Sequence, residues 1–240
     1  MTEQPIILIT GGARGIGRAI ADLVVEQGAS VIMWDIDAAA LEEAQLSLGS
    51  AAHVAALDIS DADAVSAARA ALPLAPTHLV NNAGILGQAM PFDAMDATEI
   101  DRVLGINLRG TLLVTSAFLR SRQPHPNAAI LNMASIAAIN GGAPGRAVYG
   151  ASKAAMLALT AAMARDLAPD LRVNALAPGI IDTEIQAELF SDRDALQATT
   201  AGIPLARLGQ PQEVAEAAAW LLLGAPYVSG ETIRVAGGRK

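Results

Sequence analysis

The sequence predicts an α/β fold in which one parallel sheet is covered by helices on both faces. Short apolar runs of strand length alternate with longer segments of helical spacing along all 240 residues. Hydrophobic residues make up 52% of the chain but aromatic residues only 3%, which is typical of small aliphatic helices packed closely on a sheet. Parallel strands joined by helices require right-handed crossovers. We expect one domain over residues 1–240.

The first half of the chain predicts four strands, and each of the first three is followed by a helix. The apolar run at 5–10 ends in glycines, which predicts a strand and a turn, and Arg18–Gln27 has helical spacing before Gly28. The next elements follow from the same two patterns. They are a strand at Ser30–Asp35, a helix at Ala38–Leu48, a strand at His53–Asp58, a helix at Asp61–Leu72 and a strand at Thr77–Asn81.

The second half continues the alternation with two long helices. Its elements are a helix at Thr98–Leu119, a strand at Ala128–Met133, a helix at Tyr149–Leu167, a strand at Leu171–Ala175, a helix at Pro211–Leu223 and a strand at Thr232–Val235. The least regular segment, Gly179–Gly209, follows the sixth strand. Because open α/β sheets bind ligands at the carboxyl ends of their strands, we expect this loop to cover a ligand, with a lid around residues 183–209.

Charge and composition exclude several classes of function. The net charge of −8, the pI near 4.8 and the lack of a basic run argue against nucleic acid and anionic membrane surfaces as partners. The chain has no cysteine, which excludes disulfides, thiolate ligands and a cysteine nucleophile. Its three histidines, His53, His78 and His125, lack the spacing of metal ligands, so we expect no metal site.

The sequence also predicts a soluble, cytoplasmic protein. The N-terminal residues have neither the basic nor the apolar region of a signal peptide. Charged residues such as Lys153 and Arg165 interrupt the longest apolar runs before they reach the roughly 18 residues that a membrane span needs. We therefore expect no membrane span.

A glycine-rich turn between the first strand and the first helix is a candidate phosphate site. Gly11, Gly15 and Gly17 have no side chains, so backbone N–H groups and the helix N-terminus can approach a pyrophosphate. Their G-x-x-x-G-x-G spacing differs from the G-x-G-x-x-G of the general dinucleotide fingerprint. A tight strand–helix turn without a ligand is the alternative interpretation.

Acidic and basic residues near this turn bear on the choice between NAD and NADP. Asp35 ends the second strand, where a carboxylate can accept hydrogen bonds from the adenosine ribose and repels a 2′-phosphate. Arg14 could instead pair with a phosphate, lie over the adenine or point into solvent. Asp58 could accept from the adenine amino group or cap the next helix. On balance the sequence favours NAD.

Tyr149 and Lys153 are candidate proton-transfer residues. They lie four residues apart in a predicted helix, so the phenol and the ammonium share one face. A cation at about 4–6 Å favours the phenolate and lowers the tyrosine pKa. The same spacing occurs by chance in many helices, so its weight depends on the surrounding motifs.

Six motifs, taken in order, resemble those of the short-chain dehydrogenase/reductase family in its single-domain form. They are Thr10-Gly11-x-x-x-Gly15-x-Gly17, Asn81-Asn82-Ala83-Gly84, Asn107, Ser135, Tyr149-x-x-x-Lys153 and Pro178-Gly179. The resemblance extends from Thr10 to Gly238. It implies a Rossmann-type, doubly wound, seven-stranded parallel sheet, a nicotinamide cofactor, and a homotetramer or dimer built on the two long helices and the last strand.

The resemblance also implies a catalytic tetrad. Tyr149 would be the general acid or base, and Lys153 would lower its pKa and hold the nicotinamide ribose. Ser135 would bind the substrate oxygen, and Asn107 would support a water-linked proton relay to the lysine. Ser135 and Tyr149 are fourteen residues apart, where thirteen is commoner in the family, and we place the extra residue in Asn140–Gly145.

The predicted cofactor-binding residues are small, polar or acidic residues at strand ends together with their neighbours. They are Gly11, Arg14, Gly15, Ile16, Gly17, Asp35, Ile36, Asp58, Ile59, Asn82, Ala83, Gly84, Tyr149, Lys153, Pro178, Gly179, Ile181 and Thr183.

The composition of the expected lid indicates which class of substrate the site accepts. Within Thr183–Thr200, the apolar Ile185, Leu189 and Phe190 stand among acidic residues, as in an amphipathic helix with one side on a pocket. The cations nearest in sequence are Arg146 and Arg193, so the lid favours a neutral alcohol or ketone. Small residues suggest an open pocket; they are Gly87, Ala138, Gly141 and Gly142.

Three functions remain open from the sequence. The favoured one is an NAD-dependent alcohol/ketone oxidoreductase, on the tetrad and Asp35. The second is an NADPH-dependent 3-oxoacyl thioester reductase, motivated by Arg14. The third is a binding module that senses a nicotinamide cofactor without turnover, because a fold by itself does not guarantee chemistry.

Overall fold

The computed structural model describes residues 4–184 and 193–240. Seven strands form one sheet: β1 Ile6–Thr10, β2 Ser30–Asp35, β3 Ala52–Ala56, β4 His78–Asn81, β5 Ala129–Met133, β6 Arg172–Pro178 and β7 Thr232–Val235. Their order is β3-β2-β1-β4-β5-β6-β7, and every neighbouring pair is parallel. The Rossmann-type, doubly wound, seven-stranded sheet that the motifs implied is confirmed.

Helices cover both faces of this sheet. They are α1 Gly15–Glu26, α2 Ala38–Leu48, α3 Ala62–Ala70, α4 Ala97–Leu104, α5 Thr111–Leu119, α6 Ala137–Asn140, α7 Ala147–Asp166, α8 Arg193–Ala201 and α9 Pro211–Ala219. Alternate residues of β1 belong to opposite faces, so Ile7 and Ile9 pack in one core while Leu8 packs in the other. The central strands are buried on both faces, which explains why they read as continuous apolar runs.

Side-chain caps position several helix starts at the carboxyl edge of the sheet. Asp37 caps α2, because its carboxylate accepts from the Ala40 N–H at 3.0 Å. Asp61 caps α3 by accepting from the Asp63 N–H at 2.9 Å. The interpretation of Asp58 as the cap of this helix is therefore wrong, because the cap lies three residues further on.

The predicted helix at Thr98–Leu119 contains a π-helical turn. Regular α-helix ends at Leu104 and resumes at Thr111, and the wider turn between them spans Gly105–Gly110. In this turn the backbone carbonyl of Asn107 accepts a hydrogen bond from the Thr111 hydroxyl at 3.0 Å. Such wide turns are often found at functional sites, and this one places Asn107 behind the groove described below.

Other predicted boundaries shift by a few residues. Helix α1 begins at Gly15 rather than Arg18, and β3 ends at Ala56, so that Asp58 lies beyond the strand. Strand β6 continues to Pro178 beside β7, three residues past its predicted end. The predicted helix to Leu223 ends in a second π-helical turn at Trp220–Gly224.

Helix α7 is long and apolar enough, by length and composition alone, to cross a membrane. This differs from the expectation that charged residues would interrupt every such run. The helix packs along β5 and β6 and carries Tyr149 and Lys153 into the groove at the sheet edge. About 28% of its apolar stretch is buried in the chain, so much of its surface remains uncovered.

Candidate active site

A two-lobed groove lies along the carboxyl ends of the strands. One lobe has a volume of about 400 Å³ and lies over β1, β2 and β3, and the other has about 340 Å³ and lies over β4, β5 and β6. Five residues line both lobes; they are Ile16, Asn82, Gly84, Ile85 and Thr183. The groove crosses the point between β1 and β4 where the strand order reverses, which is where open α/β sheets bind dinucleotides.

The glycine turn is held in shape by an asparagine from the next strand. The Asn82 amide donates to the carbonyls of Thr10 and Gly11, at 3.1 and 2.9 Å. Gly11 has a φ of +62°, which favours glycine, and a Cβ on Gly17 would overlap the Gly11 carbonyl oxygen. Backbone amides at the start of α1 can therefore come close to a pyrophosphate.

Asp35 lies at the floor of the larger lobe. Its two carboxylate oxygens accept from the backbone N–H groups of Ala13 at 3.0 Å and Asp37 at 3.1 Å. These bonds fix the carboxylate, and each oxygen retains a second acceptor position for the hydroxyl groups of a ribose. Asp58 also lines this lobe, with one oxygen accepting from the backbone and hydroxyl of Ser60 at 2.8 and 2.7 Å.

Arg14 forms ion pairs with two carboxylates at the rim of the same lobe. Its Nη2 lies 2.7 Å from Asp37 Oδ2, and its Nη1 lies 3.2 Å from Glu184 Oε1. The hydrogen bond to Glu184 and the charge of Asp37 raise the pKa of Arg14. The guanidinium is thus already paired on both sides, although its side chain remains about 50% exposed.

Ser135 and Tyr149 meet in the smaller lobe. Both residues line this lobe, and the Ser135 oxygen accepts from the Ala137 N–H at 3.1 Å. Burial raises the pKa of Tyr149, and the nearby Ser135 hydroxyl opposes that shift only in part. The expected lowering of this pKa is therefore wrong for this state, because desolvation of the phenolate is the dominant effect.

Lys153 is buried beneath Tyr149. Its Nζ donates to the backbone carbonyl of Met133 at 2.9 Å and lies 5.9 Å from the centre of the Tyr149 ring. Burial lowers the pKa of Lys153 to about 8, so the amine can gain or lose a proton near neutral pH. A Cβ on Gly84 would lie 3.2 Å from this Nζ, which shows how closely the backbone approaches it.

Asn107 lies behind the groove and supports the site through the hydrogen bonds of its side chain. Its side chain accepts from the Ile85 N–H at 2.8 Å and donates to the Ile85 carbonyl at 2.9 Å. It also donates to the Ser152 hydroxyl at 3.0 Å, and that hydroxyl donates to the Tyr149 carbonyl at 2.8 Å. With only 1% of its surface exposed, Asn107 is not a solvated helix residue. The water-linked relay through Asn107 stays a prediction.

The unusual spacing between Ser135 and Tyr149 does not keep them apart. The intervening chain forms the short helix α6 and a loop in which Gly141, Gly142 and Gly145 have φ values of +83°, +79° and +76°. These left-handed conformations let the chain fold back in a short distance. Ser135 therefore lines the smaller lobe together with Tyr149.

The groove brings together nearly all the predicted site residues. Ser135 and every predicted cofactor-binding residue except Gly17 line one lobe or the other, while Gly17 and Asn107 lie just behind the wall. Of the small residues expected at the pocket, only Gly142 lines the groove. The expected lid residues Ile185, Leu189 and Phe190 lie outside the described residues.

Several residues of the smaller lobe were not predicted from the sequence. They are Leu86, Ile136, Asn140 and Arg239, together with Ile85, which lines both lobes. No motif marks them, since their place depends on how loops after β4, β5 and β7 fold over the sheet edge. For Ile85 a signal existed, because it directly follows the Asn82-Ala83-Gly84 motif.

Histidines do not contribute to this site. His78 is buried, with its ring nitrogens 2.7 Å from the Thr77 hydroxyl and 3.1 Å from the Asn127 carbonyl, and its ring packs edge-on against His125. Burial lowers the pKa of His78 to about 4. Within residues 4–184 and 193–240, no group of three or more potential ligands could hold a metal ion.

The shape and chemistry of the groove fit a dinucleotide. The backbone approaches it through the glycine turn at the centre, Asp35 provides acceptors in one lobe, and Tyr149 and Lys153 lie in the other. The glycine turn would hold the pyrophosphate, Asp35 would hold the adenosine ribose, and Tyr149 and Lys153 would hold the nicotinamide end.

Comparisons with known proteins agree with this geometry. A family model described as enoyl-(acyl carrier protein) reductase matches residues 11–240. A 3-oxoacyl-(acyl-carrier-protein) reductase of Chlamydia trachomatis is 36% identical, over 96% of this chain and 95% of its own.

Two solved structures from Brucella melitensis are similar over almost their whole length. One, a short-chain dehydrogenase/reductase of the glucose/ribitol dehydrogenase type, is 37% identical with a TM-score of 0.88, covering 99% of this chain and 98% of its own. The other, a 3-ketoacyl-(acyl-carrier-protein) reductase complexed with NADH, is 34% identical with a TM-score of 0.88, covering 98% of both chains. The chain therefore belongs to the oxidoreductases of the short-chain dehydrogenase/reductase family.

Proposed function

We propose that the protein transfers a hydride between NAD(H) and a secondary alcohol or ketone, with Tyr149 as the general acid or base. The observation that carries the choice of NAD is the pairing of Arg14 with Asp37 and Glu184. Those carboxylates leave little positive charge for a 2′-phosphate, and the Asp35 carboxylate lies in the same lobe. A similar reductase was solved with NADH, which further supports this cofactor.

The residues of the smaller lobe support acid–base chemistry on the substrate oxygen. The nicotinamide supplies the site that accepts or gives up the hydride. The Ser135 hydroxyl would hydrogen-bond the substrate oxygen, and Tyr149 would take its proton during alcohol oxidation or return one during ketone reduction. Because burial favours the neutral phenol, Tyr149 carries the proton that ketone reduction requires, and a cation beside the phenolate would help it to leave.

Lys153 would stabilise the phenolate whenever Tyr149 has given up its proton. An ammonium 5.9 Å from the tyrosine ring lowers the energy of that anion in a buried site. With a pKa near 8, the lysine could also pass a proton onward at neutral pH. Lys153 and Asn107 both lie close to Gly84. We propose that the proton relay runs along these residues.

An NADPH-dependent 3-oxoacyl thioester reductase is the second candidate. The names of the similar proteins from Chlamydia and Brucella favour this substrate class. Arg14, next to the glycine turn, is the residue that would have to receive the 2′-phosphate. To do so it would have to exchange its ion pairs with Asp37 and Glu184 for the phosphate.

A cofactor-sensing module without turnover is the third candidate. Such a module has no need of hydroxyl groups arranged for proton transfer. The placement of Ser135 and Tyr149 in one lobe with the buried Lys153 supports an enzyme instead.

We also propose a cytoplasmic homotetramer or dimer. Much of α7 is uncovered within one chain, and Leu112 on α5 and Trp220 after α9 are 43% and 48% exposed. Apolar surface of this kind is commonly covered by another subunit. Sedimentation equilibrium should give two or four times the 24.5 kDa mass, whereas a monomer at micromolar concentration would contradict the proposal.

Steady-state kinetics with both cofactors test the choice of NAD. We expect kcat/KM for NADH to exceed that for NADPH by at least about tenfold, and Asp35→Ala should reduce this ratio. A preference of the unmodified enzyme for NADPH would contradict the assignment and favour the second candidate.

A further inference from the structure

Two arginines line the smaller lobe of the groove, where the substrate would bind. Arg146 and Arg239 line it together with Ser135 and Tyr149. Arg146 is the residue directly before α7, three positions ahead of Tyr149, so their side chains start about one helical turn apart on the same side. Arg239 comes from the segment that follows β7.

Arg146 has a buried donor without a partner. Its Nη1 is shielded from solvent and makes no hydrogen bond within the part of the chain that the structure describes. A buried donor without a partner is unfavourable, and more so when it belongs to a charged group. A ligand with an acceptor oxygen at this position would remove that cost.

Glu99 does not neutralise Arg146. Its carboxylate already accepts from Arg102 Nε and Nη2, at 2.7 and 2.8 Å, and from the Gln88 N–H. The hydrogen bond from Arg102 is the main reason that the pKa of Glu99 is lowered, and the charge of Arg146 adds only a smaller effect. Two guanidinium groups around one carboxylate leave a net positive charge beside the lobe.

Arg239 is brought to the lobe by the C-terminal segment. The Asn140 amide donates to the Lys240 carbonyl at 3.1 Å, which ties this segment to the end of α6. The Arg239 backbone N–H donates to the Ala236 carbonyl at 3.0 Å. The guanidinium makes no ion pair with any carboxylate of the described residues.

We propose that the substrate is a short hydroxy or oxo acid whose carboxylate is held by Arg146 and Arg239. A guanidinium matches a carboxylate with two parallel hydrogen bonds, so it fixes orientation as well as charge. Arg146 lies one helical turn from Tyr149. A substrate that reaches both residues would therefore have its carboxylate only a few bonds from its reacting carbon. This inference rests on the proposed function, since it names the substrate class of the same site.

The inference revises the expectation of a neutral substrate. That expectation counted Arg146 and Arg193 as the nearby cations and could not include Arg239, which is distant in the sequence. A lobe of about 340 Å³ that is shared with the nicotinamide end also leaves room for a small acid rather than a long chain.

A binding experiment tests the carboxylate site without turnover. The probes are 3-methylbutanoate and 3-methylbutanamide, which have the same shape, differ in charge and cannot be oxidised or reduced at the third carbon. Calorimetry with NAD⁺ present should show the acid binding at least about tenfold more tightly than the amide. Arg146→Gln should abolish this preference, Arg239→Gln should reduce it, and Arg146→Lys should restore part of it.

Arg234→Gln is the matched control. Arg234 is an exposed arginine on β7 that lines neither lobe, so its loss should leave the preference for the acid unchanged. Thermal unfolding of each variant shows whether the fold is intact. Equal binding of acid and amide by the unmodified protein, or an equal loss of both in Arg146→Gln, would overturn the inference.

Kinetics separate this inference from the proposed function. With NADH, kcat/KM for 3-oxobutanoate should exceed that for its methyl ester, and Arg146→Gln should lower only the former, by about 10- to 100-fold. If neutral ketones react in a Tyr149-dependent way with no preference for the acid, the function stands and the inference fails. If the acid binds selectively through Arg146 but no substrate is turned over, the carboxylate site stands and the function fails.

Discussion

Lys153 Nζ donates a hydrogen bond to the backbone carbonyl of Met133 at 2.9 Å, in a position from which water is excluded. This single bond replaces the hydration of an ammonium ion, and burial accordingly lowers the lysine pKa to about 8. Burying this lysine in the active site therefore lowers the stability of the folded protein near neutral pH.

Replacing this lysine with methionine should stabilise the fold near neutral pH. The folded-state pKa of about 8 lies below the usual lysine value of 10.5, so folding releases a proton between these pH values and the penalty is present in full below about pH 8. Lys153→Met should raise the unfolding free energy at pH 7 by about 1–2 kcal/mol after loss of the Met133 hydrogen bond. Urea unfolding should show this gain shrinking as the pH rises towards 10. A less stable variant at pH 7 would contradict the assigned burial penalty.

Neutralising Asp37 should shift the cofactor preference towards NADPH. Asp37→Asn keeps an oxygen to accept from Ala40 and cap α2, but removes one of the two charges that hold Arg14. With Arg14 more available, we expect the NADPH/NADH ratio of kcat/KM to rise by about 3- to 10-fold. Asp22→Asn, which removes a similar ion pair with Arg18, is the control and should leave the ratio unchanged.

Adding a methyl group at Gly17 should abolish cofactor binding. The new Cβ would overlap the Gly11 carbonyl oxygen and press on the Asn82 amide that holds the turn. Gly17→Ala should lower the unfolding free energy by about 1–3 kcal/mol and remove the enhancement of NADH fluorescence on binding. Gly105→Ala adds the same group where no atom lies within 4 Å and should bind NADH normally. Normal binding by Gly17→Ala would rule out the glycine turn as the pyrophosphate site.

Removing the Asn107 amide should affect both stability and catalysis. Asn107→Ala loses three hydrogen bonds and leaves the Ile85 backbone groups without their buried partners. We expect a loss of about 2–4 kcal/mol in unfolding free energy and a lower kcat, because Tyr149 is linked to Asn107 through Ser152. An unchanged kcat in the folded variant would show that this link does not position the tyrosine.

The comparison of sequence and structure shows which features depend on local patterns. The order of strands and helices and the glycine turn were predictable, because apolar runs and missing side chains determine them locally. The π-helical turn at Gly105–Gly110 was not, since a single wide turn barely changes the apolar spacing of a helix. The direction of the Tyr149 pKa shift was also missed, because the four-residue spacing to Lys153 indicates a nearby cation but not the depth of burial.

Residues brought in by distant segments were the hardest to predict. Arg239 enters the smaller lobe because the chain after β7 folds back towards the end of α6, which no local pattern indicates. The meeting of Ser135 and Tyr149, by contrast, could be predicted in spite of their unusual spacing, since the intervening glycines allow a tight loop.

The most direct test of the proposed function is the oxidation of secondary alcohols, including short hydroxy acids, by the unmodified protein and by Tyr149→Phe, followed by NADH absorbance. Loss of the hydroxyl removes the proton acceptor, so kcat should fall by about 10²- to 10⁴-fold while the NADH dissociation constant changes less than about threefold. Wild-type turnover by Tyr149→Phe would contradict the assignment of Tyr149 as the general acid or base.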